Sequence, residues 1–134
     1  MQCDTEWTKI SYGKNFKILF VDDEPDIAYV IKKGLEKQGF HVDALTDPQV
    51  ALDHFKPDYY DDIILDIKMP NVNGFELSRK IWQIDKDAKV CFMTAFDIYE
   101  DEAKKVFPNL NSFCFITKPV SIETLIDHIK RHLE

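Results

Sequence analysis

The chain has 134 residues, of which 45% are hydrophobic and 31% are charged, and its formal net charge is -7. This length and composition predict one globular domain that buries its own core without cross-links. The acidic balance argues against a nucleic-acid-binding surface, and no apolar run approaches the roughly 18 residues of a membrane-spanning helix. The polar N-terminus also lacks the apolar core of a signal peptide, so we expect a cytoplasmic protein.

Residues 1–15 have no clear periodicity and are interpreted as a flexible arm. From residue 16 onward, short apolar runs alternate with segments of helical spacing. The first such pair is a strand at 17–21 and a helix at 25–39, with Pro suited to the first helical turn and Gly to the end.

Four more strand and helix pairs follow in the same order. The predicted strands occupy residues 40–45, 62–66, 89–93 and 112–116. Asp47, Asn73 and Ser121 are predicted to cap three of the helices, because their side chains can accept hydrogen bonds from the first free N–H groups. The remaining helix is predicted at 97–107.

All strands except 40–45 are apolar throughout rather than alternating. Such runs are typical of a parallel sheet that is covered by helices on both faces. We therefore predict an α/β fold, a doubly wound five-stranded parallel sheet with five helices and right-handed crossovers. Sites in sheets of this kind form beyond the carboxyl ends of the strands, where the strand order reverses.

Polar residues stand at the carboxyl ends of four predicted strands: Asp22, Asp23 and Glu24 after the first, Asp66 at the third, Thr94 at the fourth and Lys118 after the fifth. These groups are predicted to meet at one edge of the sheet. Two like charges about 4 Å apart repel by about 1 kcal/mol in water and about 4 kcal/mol at an effective dielectric constant of about 20, so the cluster requires a cation. Because the ligands are all oxygens, Mg²⁺ fits best.

The acids at 22–24 also have a simpler interpretation, because acidic side chains stabilise the N-terminus of a following helix. Their coincidence with Asp66 and Lys118 favours a functional site for Asp22 and Asp23. Glu24 is interpreted as a solvated helix cap.

The ordered set of motifs resembles the response-regulator receiver domain of two-component signalling, the CheY-like family. The matching motifs are DDE at 22–24, D-x-K-M-P-x-x-x-G at 66–74, Thr94-Ala95 and Lys118-Pro119. The resemblance extends over residues 16–134, which we interpret as the receiver domain. It implies a flavodoxin-like sheet with the strand order 2-1-3-4-5.

By this resemblance, Asp66 is the phosphoacceptor, and the donor is a phosphohistidine on a sensor histidine kinase or a histidine phosphotransfer protein. The resemblance also implies a Mg²⁺ site formed by Asp22, Asp23, Asp66 and the backbone carbonyl of Lys68. The domain would not be an enzyme, although it would assist its own phosphorylation and dephosphorylation.

The resemblance further implies that Thr94 and Lys118 bind phosphoryl oxygens and that Ala95 leaves room beside them. Thr94 would move inward on phosphorylation, and Phe115 would reorient as the switch aromatic. The changed surface would bind a downstream protein target, without direct contact to nucleic acid or membrane. The domain would be a monomer or a phosphorylation-dependent dimer.

Two rival functions remain open. One is a magnesium-dependent phosphatase with an aspartyl nucleophile, but such enzymes usually carry a second acid two residues after the nucleophile, where this chain has Lys68. The other is a receiver-like interaction module that does not use phosphate, and the complete set of site residues argues against it.

The three cysteines, Cys3, Cys91 and Cys114, have no paired spacing that would indicate a disulfide framework. Cys91 and Cys114 lie in apolar runs. We therefore predict that both are buried thiols.

Overall fold

The computed structural model describes residues 16–67, 69, 73–94, 114–118 and 121–133. The predicted arm at 1–15 and the predicted helix at 97–107 lie outside these residues. The described elements, in chain order, are β1 (Lys17–Val21), α1 (Pro25–Lys37), β2 (His41–Leu45), α2 (Pro48–His54), β3 (Asp62–Asp66), α3 (Gly74–Ile84), β4 (Val90–Thr94), β5 (Cys114–Thr117) and α4 (Ile122–Leu133).

The five strands form one parallel sheet in the order β2-β1-β3-β4-β5. This confirms the predicted doubly wound fold and its strand order. β1 and β3 occupy the predicted residues, whereas β4 lies one residue later than predicted and β5 ends at Thr117 rather than at residue 116. The strand order reverses between β1 and β3, which is where a ligand site is expected in such a sheet.

Local sequence signals explain where the helices begin. Asp47 Oδ1 accepts a hydrogen bond from Gln49 N at 2.8 Å, and Asn73 Oδ1 accepts one from Glu76 N at 2.9 Å. Ser121 Oγ caps α4 in the same way. These bonds confirm the three predicted caps. Every helix that the structure describes is too short or too polar to cross a membrane.

The end of α1 is set by Gly39, which has a φ of 98°. Gly39 N donates to Glu36 O, and Phe40 N donates to Leu35 O. These are the two bonds of a Schellman motif, in which glycine adopts the left-handed conformation without a steric penalty. The predicted role of Gly39 as the helix terminator is therefore confirmed.

The core has two parts, one on each face of the sheet. On one face, the strands pack against α1 and α4 through the apolar stripe that includes Leu35 and Leu125. On the other face, they pack against α2 and α3 through residues that include Ala51 and Ile81. Because both faces are covered, β1 and β3 are buried along nearly their whole length, which holds their carboxyl ends in fixed positions.

Cys91 is buried in the first of these clusters, as predicted. It is disulfide-bonded, however, so the prediction of a plain thiol is wrong at this residue. The spacing of cysteines along the chain gave no sign of this bond, because a disulfide depends on which cysteines the fold brings together.

Candidate functional site

Two aspartates lie side by side where the strand order reverses. Asp22 directly follows β1 and Asp66 ends β3, and the preceding residues Val21 and Leu65 are paired in register. The backbone of Asp22 is fixed by a hydrogen bond from its N to Leu45 O at 3.1 Å. Asp22 is 0% exposed and Asp66 is 4% exposed, so both carboxylates are held inside the protein rather than in bulk solvent.

Lys118 joins these two aspartates. Its Nζ lies 3.1 Å from Asp22 Oδ2 and 3.3 Å from Asp66 Oδ2, and its side chain is 19% exposed. Lys118 follows β5, which is two strands away from β3, a separation of about 10 Å. Only a long side chain spans that distance, and lysine delivers a compact positive charge at its end.

The charges of the site perturb one another. Burial and the neighbouring charge of Asp22 raise the pKa of Asp66 from 3.8 to about 6, although Lys118 opposes this shift. Burial by itself would lower the pKa of Lys118, but the charges of Asp22 and Asp66 outweigh it and raise that pKa above its ordinary value. At neutral pH, the site therefore holds a carboxylate at Asp66 beside a stable ammonium group.

The same carboxylates form a candidate metal site. One oxygen from each of Asp22, Asp23 and Asp66 lies within 4.8 Å of the others. Among the described residues, these three carboxylates have one ammonium group beside them, that of Lys118, so negative charge remains to be neutralised within this set. An all-oxygen donor set of this kind suits a hard divalent cation such as Mg²⁺, which binds oxygen ligands at about 2.1 Å. The residues present therefore fit the ion that the sequence predicted.

Gly74 brings the start of α3 against the carboxyl end of β3. A Cβ atom at this position would lie 2.5 Å from Asp66 O and 2.9 Å from Ile67 Cα, which is closer than side chains approach backbone atoms. Gly74 N also donates a hydrogen bond to Ile67 O at 2.8 Å. The glycine of the D-x-K-M-P-x-x-x-G motif is thus required by close packing directly behind Asp66.

A family model described as the response regulator receiver domain matches residues 18–130. The chain belongs to this family. Receiver domains are signalling switches of two-component systems; they take phosphoryl groups from sensor kinases and act on downstream targets. The family and the general function predicted from the motifs are therefore confirmed.

Relatives of this receiver domain include both curated sequences and solved structures. The transcriptional regulatory protein TrcR of Mycobacterium tuberculosis is 30% identical over 118 residues, which cover 88% of this chain and 45% of TrcR. The chain spans between 10% and 51% of the length of the first curated relatives that it matches.

Two solved structures are similar to this receiver domain over nearly their whole length. A CheY-like receiver domain protein from Methanospirillum hungatei is 27% identical, with a TM-score of 0.77, and the match covers 88% of this chain and 93% of that chain. The response regulator TrrA from Thermotoga maritima, solved in complex with Mg²⁺ and BeF, is 30% identical, with a TM-score of 0.73, and the match covers 88% and 99% of the two chains.

The structure brings together four of the predicted site residues of the receiver domain, namely Asp22, Asp23, Asp66 and Lys118. Lys68 and Ala95 lie outside the described residues. Thr94 is described by its backbone, which ends β4 at the same edge of the sheet.

Phe115 lies on β5 and is half-buried. Its ring centroid is 5.7 Å from that of Phe92, and it packs against the core cluster on the α2 and α3 face. The predicted position of this aromatic beside the core is consistent with the structure, and its switching role stays a prediction.

Two neighbours of the site received no functional role from the sequence. Glu24 is 60% exposed and its Oε1 lies 3.9 Å from Lys118 Nζ, so its interaction with this ammonium group is weak. In the sequence, Gly74 was identified only as the last residue of the D-x-K-M-P-x-x-x-G motif. Its close approach to the backbone of Asp66 is visible only in the structure. Two sequence features could have pointed to these residues: the run of three acids at 22–24 for Glu24, and a glycine at the start of a helix for Gly74.

Proposed function

We propose that Asp66 is the phosphoacceptor of this receiver domain and that its phosphorylation switches a partner-binding surface. The observation that carries the proposal is the position of Lys118 Nζ, which lies within 3.3 Å of both buried carboxylates, Asp22 and Asp66. A buried carboxylate that faces an ammonium group and further acids suits phosphoryl transfer, which depends mainly on positioning and charge neutralisation.

The reaction follows from the state of Asp66. With a pKa of about 6, the side chain is mostly a carboxylate at neutral pH and is available as a nucleophile. An Asp66 oxygen attacks the phosphorus of a phosphohistidine and forms an O–P bond, while the P–N bond breaks and the imidazole nitrogen keeps the electron pair. Lys118 is positioned to pair with an oxygen of the incoming phosphoryl group.

Asp22, Asp23 and Asp66, with the backbone carbonyl of Lys68, are the groups that we assign to a Mg²⁺ ion. When bound, this ion neutralises charge on the carboxylates and on the phosphoryl oxygens. The assignment is supported by the carboxylate oxygens lying within 4.8 Å of one another and by the complex of the relative TrrA with Mg²⁺ and BeF. Asp22 is also held in place because its Oδ1 accepts a hydrogen bond from Glu24 N at 3.0 Å.

We assign the switch to Thr94 on β4, which pairs with β3, and to Phe115 on β5, which pairs with β4. The Thr94 hydroxyl would bind a phosphoryl oxygen beside Ala95, and Phe115 would reorient against the core. This rearrangement would change the surface around β5 and bias it towards one of two states.

The proposed donor is a sensor histidine kinase or a histidine phosphotransfer protein, and the proposed output is a downstream protein target in the cytoplasm. The domain would assist its own phosphorylation and dephosphorylation without being an enzyme, as a monomer or as a dimer that forms on phosphorylation. Residues 16–134 would form the receiver unit and residues 1–15 a flexible arm. The family match at 18–130 lies within that unit.

The test is incubation of the full chain with acetyl phosphate and Mg²⁺, followed by intact mass measurement. One phosphoryl group should be added to the wild type and none to Asp66→Asn. Asp127→Asn is the matched control, because Asp127 lies on the exposed face of α4 in an ion pair with Arg131. Phosphorylation that persists in Asp66→Asn would overturn the assignment. Repeated turnover of a phosphate ester would instead support the phosphatase alternative.

A further inference from the structure

Cys91 is a disulfide-bonded residue in the middle of a signalling domain. It lies on β4, is 0% exposed, and belongs to the core cluster that packs against α1 and α4. The sequence contains two other cysteines, Cys3 and Cys114. A disulfide within one chain therefore joins Cys91 to one of these two.

The strand register distinguishes the two candidates. Cys91 and Cys114 are Cα partners in the pairing of β4 with β5. Neighbouring strands lie about 4.8 Å apart, and a disulfide requires Cα atoms about 4.4–6.8 Å apart. Residues that are directly opposite in neighbouring strands also share a face of the sheet. We propose that Cys91 and Cys114 form a redox-responsive disulfide that links β4 to β5.

The bond can form by thiol–disulfide exchange with a small-molecule disulfide such as oxidised glutathione. One cysteine thiolate attacks that disulfide and releases one glutathione thiolate, and the second cysteine thiolate then attacks the mixed disulfide and releases the other. In total, the two cysteines lose two protons and two electrons, and one oxidised glutathione becomes two reduced glutathione molecules. The reverse exchange breaks the bond when reduced glutathione is in excess.

The position of β5 makes this exchange possible despite the burial of Cys91. β5 lies at one edge of the five-stranded sheet that the structure describes, so it can separate from β4 without disturbing the other strand pairs. Local opening of an edge strand needs less free energy than global unfolding. The disulfide should then oppose that opening, because it ties the two strands together.

The link matters for the proposed function, on which this step of the inference rests. Phe115 directly follows Cys114, and Lys118 follows the end of β5, so the bond lies beside both residues along the chain. In the oxidised protein, β5 would be held against β4. Amide hydrogen exchange in β5 should therefore be about tenfold slower or more in the oxidised protein than in the reduced protein.

The decisive experiment counts thiols in the full-length wild type after equilibration with oxidised or with reduced glutathione. Each sample is denatured, alkylated with iodoacetamide and weighed as the intact chain. In the oxidised sample, the third cysteine is expected to be alkylated or to carry one glutathione, and in the reduced sample three cysteines should be alkylated. Non-reducing peptide mapping of the oxidised sample should find Cys91 joined to Cys114. Three free thiols after oxidation, a bond to Cys3, or a link between two chains would overturn the proposal.

Variants provide an independent measurement. Cys3→Ser should keep the bond, and its melting temperature should fall by about 10 °C on reduction, as in the wild type. Cys114→Ser should show no such difference, and an equal difference in this variant would contradict the proposal. If Cys114→Ser does not fold, thiol counting on the wild type still decides. Since that count needs no phosphorylation, it also separates failure of this proposal from failure of the Asp66 assignment.

Discussion

Aspartates gather at both ends of the strands, but their oxygens meet different partners at the two ends. At the carboxyl edge, formed by Asp22, Asp23, Asp66 and Lys118, the carboxylates face one another and an ammonium group. At the amino edge, formed by Asp58, Asp61, Asp85 and Asp87, the carboxylates of Asp61 and Asp85 accept hydrogen bonds from backbone N–H groups.

The hydrogen bonds of the amino edge show what these acids do there. Asp61 Oδ2 accepts a bond from Lys17 N at 2.8 Å, and the two oxygens of Asp85 accept bonds from Asp58 N and Asp87 N. These bonds give acceptors to backbone N–H groups that lie in turns or at the start of a strand. A groove of about 320 Å³ opens at this edge. Neither the groove nor the number of acids distinguishes a functional site. The carboxyl edge differs because the buried carboxylates of Asp22 and Asp66 share the ammonium group of Lys118.

The largest expected effect comes from Gly74→Ala, which places a methyl group against the backbone that carries Asp66. The new Cβ would meet Asp66 O and Ile67 Cα, which are backbone atoms and cannot rotate away. We expect the free energy of unfolding to fall by about 3 kcal/mol, as measured by urea titration, and phosphorylation to slow.

Gly34→Ala is the matched control for this change. A Cβ at position 34 would meet side-chain atoms of Ile122, which can move more readily than backbone atoms, and alanine also favours the helix. We therefore expect a loss of less than about 1 kcal/mol. Equal losses in the two variants would show that close packing at position 74 has no special importance for the edge.

The pH dependence of stability is the next largest effect. Asp66 has a pKa of about 6 in the folded protein, above its ordinary value of 3.8, so the folded state binds the proton more readily. The Asp66 contribution to stability is therefore fully present below pH 4 and is lost as the pH rises through 6. In metal-free buffer, acidification from about pH 7.5 to about pH 4.5 should stabilise the wild type by about 2 kcal/mol relative to Asp66→Asn. Parallel profiles for the two proteins, measured by urea unfolding, would contradict the raised pKa.

Removal of one acid from each edge should have opposite effects. In metal-free buffer, Asp23→Ala should raise the free energy of unfolding by about 1 kcal/mol, because it relieves repulsion among the carboxylates. It should also weaken Mg²⁺ binding, as measured by calorimetry. An unchanged or lower melting temperature without metal would count against electrostatic crowding at this edge.

Asp61→Ala is the counterpart at the amino edge. It removes the acceptor of Lys17 N, so stability should fall by about 1 kcal/mol. Because Asp61 belongs to the amino edge, the increase in melting temperature on addition of Mg²⁺ should remain as in the wild type. A Mg²⁺ response that disappears in this variant would remove the distinction between the edges.

The smallest effect is expected at Asp58, which has a φ of 60° in the turn where Tyr59 N donates to Lys56 O. Glycine adopts this left-handed conformation freely, whereas residues with a Cβ are strained in it. Asp58→Gly should raise the free energy of unfolding by about 0.5 kcal/mol, and Asp58→Ala should lower it. If backbone strain at this turn were unimportant, Asp58→Ala would have a higher melting temperature than Asp58→Gly.

Much of this molecule could be predicted from local sequence. Three helices are capped by Asp47, Asn73 and Ser121, whose side chains accept hydrogen bonds from N–H groups two or three residues away. Both partners of each bond lie in one short segment, so the segment alone predicts the cap. Gly39 terminates α1 for a similarly local reason. Strands buried on both faces must be apolar along their length, and those runs located β1 and β3 to the residue.

The sequence by itself also determined the family and the order in which acids, hydroxyl and lysine follow the strands, because each motif is a short segment at a strand end. Only the tertiary structure decided that Lys118 contacts Asp22 and Asp66, that Gly74 packs against the backbone of Asp66, and that Cys91 is disulfide-bonded. These contacts join residues from different strands and helices. Their distances depend on strand order, register and burial, which no local segment of the chain specifies.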